Sequence, residues 1–596
     1  MRNENQFTQE VRPKHLKIAV LFLFFILSTS IFLFSMLKTV FSARNTPTLE
    51  ASKEYVSLRG SIYSKERLTI ASSDKLYKAS IHTGYIHDDK KDLFAKIFAI
   101  YSGENEQEIR SKLNSGGYIV LSYALHGKQA ADIKTLSRKL DELNAFKTKA
   151  VNHRYITQGI FVEESGEQRI YPYNDAFTPI IGYVRKKETD NFTRSSGLKG
   201  IENYYNEYLT PIANGEMAGK RDIGSNVIFN KDSVLSRYQN GFDVFLNSTM
   251  KMQKTLENIV HEAKAEFNAQ EVIACIMDSK TGKIIAMATS NRFSPANIKK
   301  SDYQSLNASF IENIFEPGSV FKPIVLARLF EAKKATPLEI IRGHNGRFKL
   351  GKNVIKDLIK KEWFSVEGAL IYSSNIAMAQ LAMRLDKEEY YDHLIKMGLG
   401  AKTGIDLPYE KSGNIPSIAQ FADDTYKATA SYGYGVGVSF MQIFKVFGGF
   451  NNNGFVVEPR LVDYIMNHDQ DKIYTKTNTE QILSYDTARK IKNILIKTVK
   501  IGTGKVTRTK GLEVGAKTGT AHVAKDGGYA DEYRSSMFGF ANDQNSSFTL
   551  GVTTFDPKGK HFGSQTSGKV FKKMVDVMVE QGYLIPKLQE NNTTLP

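Results

Sequence analysis

Glu316-Pro317-Gly318-Ser319-Val320-Phe321-Lys322-Pro323 is the stretch from which the rest of the chain can be read. Ser319 and Lys322 form an S-x-x-K pair, and residues i and i+3 share one face of a helix, so hydroxyl and amine can meet. A serine hydroxyl is a weak nucleophile and needs a neighbouring base. A lysine is that base only when burial or a second cation frees its neutral amine. Pro317-Gly318 suits a helix start, and Pro323 is tolerated only in a first turn. Ser319 is thus expected at a helix N-terminus, where backbone N–H groups can face a developing oxyanion. Alone the pair is weak, since Ser72…Lys75 and Ser248…Lys251 fit it too.

Two further elements follow in order. Ser373-Ser374-Asn375 is an S-x-N triplet 54 residues on, with a decoy at Ser305…Asn307. K-T-G occurs three times. Lys280-Thr281-Gly282 reads as a hairpin turn and Lys402-Thr403-Gly404 as a loop after a glycine break. Only Lys517-Thr518-Gly519-Thr520 lies inside a strand-like run, Val514–Val523, where a cation and two hydroxyls can line a cleft edge.

The ordered trio resembles the S-x-x-K, S-x-N, K-T-G set of the penicillin-recognising serine acyltransferases. Ser431-Tyr432-Gly433-Tyr434-Gly435, Arg59-Gly60-Ser61-Ile62-Tyr63, Tyr171-Pro172-Tyr173 and Gly197-Leu198-Lys199-Gly200-Ile201-Glu202 extend the likeness to a class B penicillin-binding protein, from Arg59 to about Phe571. The E-P-G-S-x-F-K-P wording leans to the division (septal) branch rather than the elongation branch. Arg59–Leu68 lacks the usual D-R-N-G continuation, and Leu246-Asn247-Ser248-Thr249 stands where L-T-I-D is common. These departures bear on the subfamily more than on the chemistry.

The resemblance implies a D,D-transpeptidase that cross-links peptidoglycan stem peptides. It implies that Ser319 attacks the carbonyl between two terminal D-Ala residues and that Lys322 takes the serine proton. Ser373 and Asn375 would relay protons and hold the donor, while Lys517 would add the charge that keeps Lys322 neutral. Thr518, Gly519 and Thr520 would bind the substrate carboxylate, and the backbone N–H groups of Ser319 and Thr520 would form the oxyanion hole. No metal or cofactor is implied; β-lactam antibiotics would acylate Ser319. A glycan polymerase and other membrane proteins of the division complex are implied as partners. The alternatives are a β-lactamase or carboxypeptidase on the same fold, a non-catalytic sensor or scaffold, and an elongation-type transpeptidase. A class A β-lactamase would carry an E-x-x-L-N loop after Ser319, and the sequence has none.

Ile18–Leu37 is twenty residues without a charge, roughly 30 Å as a helix and so the thickness of a bilayer core. It is longer than the apolar region of a signal peptide, and Val40-Phe41-Ser42-Ala43 makes a poor cleavage site. We read residues 18–37 as an uncleaved transmembrane helix, with Phe22, Phe24, Phe25, Phe32 and Phe34 as lipid-facing bulk. Arg2, Arg12, Lys14 and Lys17 favour a cytoplasmic tail, residues 1–17. The expected location is the bacterial inner membrane, single-pass, with the bulk of the chain outside the cytoplasm.

The exported part divides by texture. Residues 45–240 carry no catalytic motif and read as a pedestal or dimerisation-type domain, with helical spacing at Phe94–Leu113 and Ile133–Phe146 and strands at Tyr118–Tyr123 and Ile156–Val162. Residues 243–585 read as the penicillin-binding domain. A helix, Met250–Phe267, leads to strands Val272–Met277 and Lys283–Ala288. A helical block follows, then strands Val514–Val523, Ser535–Ala541 and Ser547–Phe555 and a closing helix, Val570–Gln581. Residues 586–596 read as a flexible tail. The expected fold is α+β, an antiparallel sheet packed against helices.

Composition sets the outer limits. The 596 residues carry 80 Lys+Arg and 63 Asp+Glu, a net charge of +17. Residues 1–250 hold 34 basic and 27 acidic side chains and the rest hold 46 and 36, so no basic stripe suggests nucleic acid. Cys275, the one cysteine, excludes an intramolecular disulfide and reads as a buried strand residue. No H-E-x-x-H occurs, and Gly502-Thr503-Gly504-Lys505 lacks phosphate-loop spacing and reads as a turn.

Overall fold

A computed structural model describes residues 11–41, 50–151, 154–157, 159–188, 192–221, 227–525 and 528–587. Within these the chain forms two compact units. One contains the residues up to Lys53 together with Glu216–Ser236; the other contains Glu54–Gly215 and everything from Arg237 onward.

The first unit begins with a 31-residue helix, Val11–Phe41. Its stretch His15–Phe41 has mean hydropathy 2.5 and none of it is buried by protein, which makes it a candidate membrane span. Leu16–Phe41 presents large apolar side chains outward all round, the pattern of a helix solvated by lipid rather than packed in a core. A three-stranded sheet follows, in the order Glu50–Tyr55, Gly215–Lys220, Val234–Ser236.

In the second unit, the head of the 54–215 region packs helices Lys91–Ser102, Glu106–Asn114 and Gly127–Glu142 with strands Thr69–His82 and Tyr118–His126 around Phe94, Phe98, Ile109, Leu121, Ile133 and Phe146. The continuous helical spacing over Phe94–Leu113 resolves into two helices. Gly103 ends the first at φ 77°, and Asn105 caps the second by accepting from the N–H groups of Gln107 and Glu108. The second helical run begins earlier than its apolar spacing suggests and stops at Glu142, leaving Phe146 to fill the core from a loop. Ile156–Val162 is likewise two strands, Arg154–Thr157 and Phe161–Ile170, with residue 158 outside the described residues.

The family-like motifs of this region converge. Glu202, fully buried, pairs with Arg59 Nε at 2.8 Å and Arg169 Nε at 2.7 Å. Glu167 accepts from the backbone N–H of Arg59 at 2.6 Å. Burial alone would raise the Glu202 carboxyl, but two guanidinium groups outweigh it and hold it below its ordinary value. The nine-stranded sheet around this cluster is completed from far along the chain. Val462–Met466 pairs with Asp243–Leu246, and Lys472–Tyr474 adds to its outer side.

The C-terminal half is built on a five-stranded antiparallel sheet in the order Ile284–Thr289, Glu271–Asp278, Ser547–Phe555, Gly528–Asn542, Glu513–Lys525. Successive side chains of a strand point to opposite faces. Val272, Ala274 and Ile276 therefore join helices Met250–Phe267 and Ser567–Glu580 on one side. Ile273, Cys275 and Met277 join the helical block on the other, with Phe440, Phe444 and Phe447. Both faces are covered, which is why this strand reads as an unbroken apolar run. Cys275 is fully buried and its thiol is pushed up by that burial. Thr249, in the departing Leu246–Thr249 stretch, caps Met250–Phe267 by accepting from Met252 N–H. At the other end Lys587 N–H donates to Gly511 O at 3.0 Å, so packed structure runs two residues past 585; Gln589–Pro596 lies outside the described residues.

Candidate active site

Ser319 sits in a 3-10 turn, Gly318–Phe321, that leads straight into the helix Lys322–Glu331, whose second residue is Pro323. Gly318 starts the turn at φ 58° and its N–H donates to Gly433 O, which ties the turn to Ser431–Gly435. Gly435 N–H in turn donates to Glu316 Oε1 at 2.6 Å. A Cβ on Gly318 would lie 3.1 Å from both Thr520 O and Ala521 Cβ, and one on Gly519 would lie 3.0 Å from Pro317 O. The K-T-G strand thus runs against the turn that carries Ser319, and glycine at both positions permits that approach. Ser319 is half-buried at the mouth, and its hydroxyl makes no hydrogen bond to any described residue.

Lys322 and Lys517 are fully buried. Lys322 Nζ donates to Ser373 O at 2.7 Å and to Ser373 Oγ at 3.1 Å. Lys517 Nζ donates to the same Ser373 Oγ at 2.9 Å and to Thr518 O at 2.9 Å. Ser373 holds φ at 60°, rare for a residue with a side chain, and that backbone turns both its oxygens toward the amines. Burial lowers the Lys322 amine from 10.5 to about 7, and the negative charge of Asp357 pulls it partly back. Burial also brings Lys517 well below its ordinary value, and repulsion from Lys322 adds to it. Of the two routes open in the sequence, burial or a second cation, burial is the one that lowers Lys322, while the repulsion between the amines falls on Lys517.

The hydroxyls of the K-T-G-T run alternate with its buried amine. Thr518 Oγ1 donates to Thr503 Oγ1 at 3.1 Å, and Thr520 Oγ1 accepts from Gly563 N–H at 3.1 Å. Asn375 opens the helix Asn375–Ala382, and its side-chain amide donates to Lys356 O at 3.3 Å. The structure thus joins Lys322, Ser373 and Lys517 through Ser373 Oγ and sets the turn that carries Ser319 against the Gly519–Ala521 segment, while no hydrogen bond among the described residues links Ser319 or the Asn375 side chain to either amine.

The other candidates fall elsewhere. Lys280-Thr281-Gly282 is the turn between Glu271–Asp278 and Ile284–Thr289. Thr403 is buried against Glu410, whose Oε1 accepts from Thr403 N–H at 2.8 Å. Ser72 and Lys75 lie on the strand Thr69–His82, where residues three apart point to opposite faces. Two residues escaped the sequence reading. Thr503, in the turn that only superficially resembles a phosphate loop, partners Thr518. Asp357 accepts at Oδ1 from the N–H groups of Asn375 (2.6 Å) and Ile376 (3.2 Å), and at Oδ2 from Ser374 Oγ (2.5 Å). No motif marks either one. Among the described residues no group of three or more His, Cys, Asp or Glu is placed to hold a metal.

Two buried amines that share one serine hydroxyl, on elements adjoining a turn that carries a second, half-buried serine, suit serine acyl transfer. Comparisons agree. The family model described as the penicillin-binding protein transpeptidase domain matches residues 272–576, and the penicillin-binding protein dimerisation domain matches 54–246. The probable peptidoglycan D,D-transpeptidase PenA of Neisseria gonorrhoeae is 27% identical over 444 residues, 74% of this chain and 72% of that protein. The peptidoglycan D,D-transpeptidase FtsI of Escherichia coli K12 is 26% identical over 416 residues, 69% of this chain and 67% of that one. The crystal structure of penicillin-binding protein 2X from Streptococcus thermophilus shares the fold at TM-score 0.74 and 18% identity, covering 89% of this chain and 81% of that one. The chain belongs to the penicillin-binding proteins of class B, with a dimerisation domain ahead of a transpeptidase domain.

Proposed function

We propose that the protein is a peptidoglycan D,D-transpeptidase of septal wall synthesis, working through an acyl-enzyme on Ser319, and a covalent target of β-lactams. The observation that carries this reading is the sharing of Ser373 Oγ by Lys322 and Lys517, beside the turn that presents Ser319. The names of the relatives, PenA and FtsI, support the substrate and the septal role.

The neutral Lys322 amine takes the Ser319 proton as Oγ bonds to the penultimate D-Ala carbonyl carbon. The oxyanion meets the N–H groups of Ser319 and Thr520 at the junction of turn and strand. The proton then passes through Ser373 Oγ to the departing D-Ala nitrogen as the C–N bond breaks. Lys517, Thr518 and Thr520 bind the substrate's terminal carboxylate along the K-T-G edge, and Asn375 holds the donor backbone. An acceptor amine attacks the ester carbonyl and gives up a proton to Lys322; the C–O bond to Ser319 breaks, leaving the cross-link, and that proton passes to Ser319 Oγ. No step calls for a metal or a cofactor. Residues 1–17 stay in the cytoplasm and the apolar helix anchors the chain in the inner membrane. The 45–240 region holds the 243–585 catalytic domain off the bilayer and docks a glycan polymerase of the division complex.

The test is incubation of the full-length enzyme with a D-Ala-D-Ala stem peptide and a peptide amine, reading products by mass. Cross-linked peptide with released D-Ala supports the proposal. Hydrolysed tetrapeptide alone, or penicillin turned over within seconds, would move the assignment to a carboxypeptidase or β-lactamase.

A further inference from the structure

The S-x-N segment has to hold an uncommon backbone. Ser373 at φ 60° is followed at once by the helix Asn375–Ala382, whose first N–H groups have no partner within the helix. Two side chains satisfy them. Ser374 Oγ accepts from Ala377 N–H at 3.0 Å, and the Asp357 carboxylate takes Asn375 N–H, Ile376 N–H and the Ser374 hydroxyl. Asp357 comes from outside the segment. It follows the hairpin Arg347–Leu350 and Asn353–Lys356 and donates its own N–H to Gly346 O at 3.2 Å. That hairpin is seated by a small apolar cluster in which Ile355 meets Ile376, Ala379, Ala428 and Tyr432. The carboxylate is therefore delivered by a separate clip with its own packing, and it joins three groups at the corner that presents Ser373.

We infer that Asp357 is a positioning residue of the acyl-transfer site, which locks the S-x-N corner through its carboxylate and keeps a fixed negative charge near the Lys322 amine. This rests on the reading of Ser319, Lys322 and Ser373 given above. The charged groups facing Lys322 are Asp357 from the clip and Lys517 from the Glu513–Lys525 strand; Asp357 also faces the Tyr432 phenol. The negative charge favours the protonated form of Lys322, so its removal should extend the working range of the base to lower pH.

The experiment is the second-order rate of acylation of the full-length protein by a fluorescent penicillin, from pH 5.5 to 9, for wild type, Asp357→Asn and Asp357→Ala. Asp357→Asn keeps one acceptor for the helix N–H groups but loses the charge and the bond from Ser374. We expect a plateau about tenfold lower, the rate equivalent of one charge-assisted hydrogen bond, and an acid limb moved to lower pH. Asp357→Ala should lose more rate with the same limb shift. Thermal melting confirms that each variant is folded; should Asp357→Ala fail to fold, Asp357→Asn decides alone. An unchanged rate overturns the inference, and so does a lower plateau with an unmoved limb, which is what a structural role alone would give. Wild type that fails to acylate would instead overturn the functional reading itself.

Discussion

Lys322 and Lys517 reach the same atom: Ser373 Oγ lies 3.1 Å from the first amine and 2.9 Å from the second. Two buried cations around one hydroxyl would repel each other without solvent to screen them, so at least one amine must be neutral at working pH. Burial lowers both amines, and Lys322, three residues from Ser319, is the one proposed as the base.

A pH dependence follows directly. Below about 7 Lys322 carries a proton and cannot take one from Ser319; above it the amine is free. Acylation by penicillin should therefore rise with pH through about 7 and then level. Stopped-flow rates across pH 5.5–9 measure this, and a flat or falling profile would refute Lys322 as base.

Lys322→Ala and Ser373→Ala remove the proposed base and the proposed relay. Each should slow acylation by roughly 10²–10⁴-fold, the usual contribution of a positioned proton-transfer group. Circular dichroism should show both folded. Wild-type rates in either variant would remove that residue from the proposed mechanism.

Thr503→Val tests the residue that partners Thr518 on the edge proposed to bind the substrate carboxylate. It deletes the Thr518 partner while keeping the shape, at a cost of about 1 kcal/mol. KM for a D-Ala-D-Ala peptide should rise several-fold with kcat less affected. A loss confined to kcat would place Thr503 in the chemistry instead.

Glu202→Ala leaves Arg59 and Arg169 buried without their anion. Breaking a buried pair in this way costs about 3–5 kcal/mol. The urea midpoint for loss of the 54–215 fold should drop clearly, while folded molecules should still take up fluorescent penicillin. An unchanged midpoint would mean that the cluster contributes little.

The parts of the site legible in the sequence are those whose chemistry lies in short spacing. Ser319 and Lys322 are three residues apart, and the third K-T-G could be chosen because its neighbours are strand-like. Asp357 and Thr503 were hidden because each acts on a segment 15–19 residues away in sequence, through a contact that only the packing creates. The five-stranded sheet was legible as strands but not as an order, since Glu271–Asp278 pairs with Ser547–Phe555 across nearly three hundred residues. The addition of Val462–Met466 to the pedestal sheet left no sequence trace at all. Gly103, by contrast, was an available signal for the break in Phe94–Leu113, outweighed by the apolar spacing on either side.

Ser319 is the proposed acylated nucleophile. Intact-protein mass spectrometry after exposure to benzylpenicillin, followed by peptide mapping, tests it most directly. The assignment of Ser319 requires one penicilloyl adduct on wild type, mapped to the peptide containing Ser319, and none on Ser319→Ala. An adduct of equal yield on Ser319→Ala, or one mapped to another residue, would contradict it.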